Sequence, residues 1–444
     1  MRTRSLSSTV CVLALGGLLL TGCGAPGEPE SDDPGPEVTS SEGGWIGGEP
    51  DWDGGDSGGD ALSAGDGEAP LAAPAPTTTD AGRDRRTGGL AAGSVDDNAD
   101  YEAYLRYVAR IDDLGLRLRP FDPRGRVLVT VTGSDGRPAA GEPVTVLDGG
   151  EEVATLRTTA DGTARFLPAV FGAAPEGRFT VRAGEASAEV DAGGSAELGV
   201  ERAGGVEGSV PLDVLFLLDA TGSMGDEIDQ LKTSIDSVAE RVAALEGAPD
   251  VRFAMTLYRD RGDAFVTSTY DFTGDVDAFR AALADVEAGG GGDYPEALEE
   301  GLAEALGEPS WRGPGEAVQL VFLVADAPPQ TRRDLQVTYP DAVRDAVARG
   351  IKIFPVASSE SDDAAEAVFR QLAQATGARF VFLSYGAGGA ATGKSSDIDS
   401  ADYEELALDD LVVRLTAEEV AALTGDDGVV PDPGPTSDPT PSGQ

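Results

Sequence analysis

The chain gathers side-chain oxygens where apolar runs stop. In LLDATGSMGDE, residues 217–227, the run ends at Asp219 and hydroxyls follow at alternate positions, Thr221 and Ser223. Two other stretches share this character: VADAPP, where Asp326 closes an apolar run, and GGGGDYPEAL, where Asp293 follows a run of glycines. The sequence has no histidine, and its only cysteines are Cys11 and Cys23. Ser-His-Asp catalysis is thereby excluded, and zinc or copper is poorly served. Two carboxylates and two hydroxyls, with water completing an octahedron, suit a hard divalent cation: Mg²⁺, or Mn²⁺ or Ca²⁺.

A plainer explanation stays open for part of this set. Ser223 with Asp226, and Asp293 with Glu296, both fit helix capping boxes. Capping does not account for Asp219 and Asp326, which both close apolar strands.

The elements that must position these residues follow from hydrophobic period. Six strand candidates, at 213–219, 251–259, 265–272, 318–326, 351–358 and 379–385, alternate with amphipathic helices; the first helix carries Ile228, Leu231, Ile235, Val238, Val242 and Leu245 at steps of three and four. Four strands are continuous apolar runs, as buried parallel strands are. The pattern predicts a doubly wound, mostly parallel six-stranded α/β sheet over 210–425. If the first and fourth strands are neighbours, Asp219 and Asp326 meet at the carboxyl edge where winding reverses and ligands collect.

Before this domain, 101–115 has helical spacing and ends at Gly115, followed by short alternating runs with Asp-Gly turns at Asp135-Gly136 and Asp161-Gly162. Residues 100–205 are therefore expected to form a short helix plus a small all-β sandwich. The pieces GSDGRPAAGEPVTV and TTADGTARF resemble the prealbumin-like or carboxypeptidase-regulatory-like modules. Residues 23–99 are rich in Gly, Pro, Asp and Ser, the composition of a disordered acidic linker. Trp45 and Trp52 within it are either a docking motif or stray aromatics. A Pro-rich tail, 426–444, closes the chain.

At 444 residues and 40% hydrophobic content the chain can hold two or three domains. A formal charge of -46 argues against binding nucleic acid or anionic lipid. Residues 1–22 have Arg2 and Arg4, an apolar segment and small residues before Cys23, the pattern of a signal peptide. That ending resembles the lipobox of bacterial lipoproteins, which implies lipidation at Cys23 and an exported, membrane-anchored protein of the cell envelope.

The α/β region resembles the von Willebrand factor type A domain carrying a metal-ion-dependent adhesion site. The family's D-x-S-x-S reads here Asp219-Ala220-Thr221-Gly222-Ser223, its strand-end aspartate matches Asp326, and its threonine position falls at Asp293. The resemblance implies a metal held by these five residues, no enzymatic activity, and cation-dependent binding of a protein ligand or envelope component. Asp293 in place of threonine adds a negative charge, which implies tighter metal retention and a weaker preference for acidic ligands.

Competing expectations are a metal-dependent phosphohydrolase and a scaffold with a vestigial site. The chain also resembles haloacid-dehalogenase-like phosphatases in ending a strand with Asp before Thr, but Thr221 occupies the place of their general acid. GGAATGKS at 388–395 satisfies the P-loop pattern, yet a polar, acidic segment follows where an apolar helix is needed, so nucleotide is not expected. Arg261-Gly262-Asp263 is read as a solvated turn near the crevice.

Overall fold

The computed structural model describes residues 90–205, 209–245, 249–292, 294–332, 334–358, 361–384 and 406–424. The expected signal peptide with Cys23, the linker as far as residue 89, Asp293, the P-loop-like run and the tail lie outside the described residues.

A first strand, β1 (Ala91–Val95), and helix α1 (Tyr101–Leu114) precede a set of short strands: β2 (Val127–Thr132), β3 (Pro143–Asp148), β4 (Glu151–Arg157), β5 (Thr163–Phe166), β6 (Arg178–Ala183), β7 (Ala186–Asp191) and β8 (Ser195–Gly199). These build a three-stranded sheet, β5-β2-β8, and a four-stranded sheet, β4-β3-β6-β7. Alternate residues Val127, Val129 and Val131 of β2 are buried, as period-two patterning requires of a strand with one face inward. Phe166 of β5 meets Phe179 of β6 edge-on at 5.0 Å and joins the two sheets.

The rest of the chain winds β9 (Pro211–Asp219), α2 (Gly225–Ala243), β10 (Asp250–Tyr258), β11 (Thr267–Thr273), α3 (Val276–Ala284), α4 (Leu298–Gly307), β12 (Val318–Ala325), α5 (Tyr339–Arg349), β13 (Lys352–Ala357), α6 (Asp363–Thr376), β14 (Phe380–Ser384), β15 (Leu406–Ala407) and α7 (Leu408–Thr424). The sheet runs β11-β10-β9-β12-β13-β14-β1-β15. Helices α2, α3 and α7 pack together on one face, and α4, α5, α6 and α1 on the other. That double cover is why β12 and β13 are buried at every position. Phe216, Phe322 and Phe354 occupy one register row across β9, β12 and β13 and stack at 5.9 and 5.1 Å.

Among the described residues the sheet has eight strands, not the expected six, and is mixed. β1 pairs antiparallel with both β14 and β15. Its sequence, AAGSV, falls within the expected linker because small residues carry no periodic signal. It becomes a strand because it covers the free edge of β14, and Ala92 is fully buried there. α1 likewise serves the α/β layer: Tyr104, Tyr107 and Ile111 pack with Ala367 of α6, and Arg370 of α6 lies 3.7 Å from the Tyr107 ring centroid. Arg370 is also clamped by Asp97, just before α1, at 2.9 and 2.5 Å. The two smaller sheets are thus inserted between the first and second segments of the α/β layer.

Candidate cation site at the carboxyl edge of the sheet

β9 and β12 are parallel neighbours, with Leu218 opposite Val324. This is the reversal point of the winding, since β10 lies on one side of β9 and β12 on the other. Asp219 ends β9 and Asp326 follows the last residue of β12, with exposures of 0% and 3%. Tyr258, the last residue of β10, is in register with Asp219 and is also fully buried.

One oxygen of Asp219 shapes the loop that follows. Oδ1 accepts from the Thr221 backbone N–H at 2.9 Å and from the Thr221 hydroxyl at 2.7 Å, an arrangement typical of aspartate-nucleated turns. Thr221 Oγ1 is 3.1 Å from Ser223 Oγ. Asp219 Oδ2 is buried with no hydrogen bond, although the Tyr258 hydroxyl is close enough to interact with this carboxylate. Burial, joined by the negative charge of Asp326, pushes the Asp219 carboxyl up to about 7 against the opposing pull of Thr221 and Tyr258. Leaving such an oxygen without a donor costs about 1–3 kcal/mol or more, and a bound cation would supply what the loop does not.

Ser223 is exposed and is not a helix cap. The α2 N-cap is Met224, with no side-chain hydrogen bond, which removes the plainer explanation for this hydroxyl. Glu296 likewise takes no part in capping α4, which begins at Leu298 with Ala297 as its N-cap.

The glycine run lies against the Asp219 loop. Gly289 N–H donates to Ala220 O and Gly222 N–H donates to Gly290 O, both at 3.0 Å. Asp263 Oδ2 accepts from Gly291 N–H at 2.8 Å and from Asp260 N–H at 3.0 Å. Arg261 pairs with Glu300 and Asp334. The Arg-Gly-Asp triplet therefore spends its charged ends bracing the loops of the crevice. Gly290 has φ +77°, and a Cβ there would sit 2.3 Å from Asp263 Oδ2. Gly290→Ala is expected to displace this loop and cost about 1–3 kcal/mol, read as a lowered midpoint in urea.

Besides Tyr258, two residues at the site are absent from the set expected from the sequence. Tyr294 is 47% exposed; its hydroxyl donates to Asp326 O at 3.4 Å and accepts from Asp362 N–H at 3.3 Å. Glu296, read only as a capping partner, is 4% exposed and is held to the loop after Asp326 by its backbone (N–H to Pro328 O, 3.1 Å; O from Gln330 N–H, 2.9 Å). An acid beside Asp293 in a glycine-led segment was the available signal.

Among the described residues no group of three or more acidic, histidine or cysteine side chains is assembled as a metal cage. The donor set is instead mixed: Asp219, Thr221, Ser223 and Asp326, all oxygen, with one buried carboxylate oxygen lacking a hydrogen bond. This fits a hard cation with water in its shell. Asp293 lies outside the described residues, between the described Gly292 and Tyr294.

Residues 213–386 match the von Willebrand factor type A domain family; this part of the chain is a VWA domain. Among curated relatives, the alpha-protein kinase vwkA of Dictyostelium discoideum is 31% identical over 124 residues, which are 28% of this chain and 19% of that protein. The von Willebrand factor A domain-containing protein 7 of Rattus norvegicus is 36% identical over 93 residues, 20% of this chain and 10% of that protein. The chain thus spans less than a fifth of the length of either relative. Among solved structures, proximal thread matrix protein 1 from the mussel byssus, with a zinc occupied MIDAS motif, is similar with a TM-score of 0.31 at 16% identity, over 37% of this chain and 40% of that one. VWA domains commonly mediate protein–protein interaction.

Proposed function

We propose that this VWA domain binds a divalent cation, Mg²⁺ or Mn²⁺, through Asp219, Thr221, Ser223 and Asp326, with Asp293 as a further ligand, and that the cation mediates binding of a protein partner. The observation that carries this reading is the buried Asp219 Oδ2, which has no hydrogen bond and lies at the strand edge beside Asp326. The exposed Ser223 gives the site an open side through which a partner's oxygen, or water, completes the shell. The protein acts as a binding module and not as an enzyme, exported and held at a bacterial envelope by lipid on Cys23.

Envelope proteins retained on the immobilised protein in Mg²⁺ are expected to be lost with EDTA and in Asp219→Ala. Retention indifferent to both sinks the cation-dependent reading, and phosphatase turnover abolished by Asp219→Ala would replace it with the hydrolase. Radiolabelled palmitate incorporated by the wild type and not by Cys23→Ala tests the anchor separately.

A further inference from the structure

We infer that Glu296 is an additional carboxylate of the cation centre, acting on the ion from its outer shell and setting how tightly it is held. The inference rests on the cation reading of Asp219 and Asp326. Four observations place Glu296 there. Its backbone is tied on both sides to the Pro328–Gln330 segment that follows Asp326, so it moves with that loop. Its carboxylate shares a small volume with the first motif: a Cβ built on Gly291 would lie 3.0 Å from Glu296 Oε1 and 3.1 Å from Thr221 Cβ. The charges of Asp219, Asp326 and Glu296 all reach the buried hydroxyl of Tyr258. Finally, the residue is almost wholly buried without serving the helix cap its sequence position suggested.

The physical consequence is direct. Asp219 and Asp326 neutralise a divalent ion between them, and an additional buried carboxylate beyond the direct ligands attracts it through a medium that screens poorly. It also accepts hydrogen bonds from water on the ion, the usual task of carboxylates behind metal ligands. Without a cation, the same group adds repulsion to an already crowded set of acids.

Calorimetric titration of Mn²⁺ into the full chain tests this. Glu296→Gln, which keeps the shape and removes the charge, is expected to weaken Mn²⁺ binding by about 10- to 100-fold while melting in EDTA at or above the wild-type temperature. Glu296→Asp is expected to recover part of the lost affinity. Wild-type affinity in Glu296→Gln overturns the assignment while leaving the Asp219 site standing. Loss of both affinity and chelated stability in Glu296→Gln, with no recovery in Glu296→Asp, overturns it in favour of a packing role. A wild type that takes up no Mn²⁺ overturns the cation reading itself.

Discussion

Asp219→Asn is expected to stabilise the chelated protein and to abolish its response to cations. In EDTA at pH 8 the wild type must keep the Asp219 carboxylate ionised and buried beside Asp326. Its folded pKa of about 7 lies above the ordinary value near 3.9, so ionisation is penalised in the fold. The penalty is complete above pH 7, where both folded and unfolded forms are charged, and vanishes below about pH 4, where both are protonated. A displacement of roughly three units corresponds to about 4 kcal/mol. The chelated wild type therefore gains stability as pH falls from 7 towards 4, the reverse of the trend set by a paired carboxylate. Asn at 219 retains an oxygen for the Thr221 donors and carries no charge, so it should melt several degrees higher in EDTA at pH 8 and show no such pH dependence. Adding Mn²⁺ should raise the melting temperature of the wild type and leave Asp219→Asn unmoved. Equal melting of the two proteins in EDTA across pH 5–8 would show that the buried charge is not the strained feature.

The second large effect concerns the boundary of the α/β domain. A fragment covering 210–424, the span suggested by the strand–helix alternation, is expected not to fold cooperatively, whereas 90–424 is. The shorter fragment loses β1, which pairs with both β14 and β15, and exposes α6 where Tyr104, Tyr107 and Ile111 packed. Burial of each of these side chains contributes about 1.5–3 kcal/mol. It also strips Asp97 from the nearly buried Arg370, and breaking such a pair costs about 3–5 kcal/mol. Together these losses are comparable with the 5–15 kcal/mol that holds a whole domain together. A sharp two-state melt of 210–424, at a temperature close to that of 90–424, would refute this account. Limited proteolysis offers a second view, since α6 and β14 should become the first cleavage sites of the fragment.

How much of the molecule could be read from its sequence differs between the two halves of the site. The motif Asp219, Thr221 and Ser223 announced itself because a fully buried strand reads as an unbroken apolar run, and an acid at its end has no packing reason to be there. Asp326 was legible on the same ground. Tyr258, Tyr294 and Glu296 were not, because their roles depend on register across β9 and β10 and on the hydrogen bonds that tie residue 296 to the Pro328–Gln330 segment. Capping offered an adequate local explanation for Ser223 and for Asp293 with Glu296. Only the observed helix starts, at Gly225 and Leu298, remove the Ser223 and Glu296 parts of it.

By itself, then, the sequence determined the alternating strands and helices of the α/β layer, the oxygen-only chemistry available to a chain without histidine, and the strand-end acids. These are properties of local period and composition, which each segment carries wherever it sits. The tertiary structure alone decided that AAGSV is a strand, that the helix at 101–114 belongs to the α/β layer, that the Arg-Gly-Asp triplet braces loops, and that Glu296 is buried close to the loop of Thr221. Edge pairing and long-range contact decided these outcomes: short segments of small or polar residues have no strong preference of their own and take the conformation that covers a free edge or satisfies a buried group.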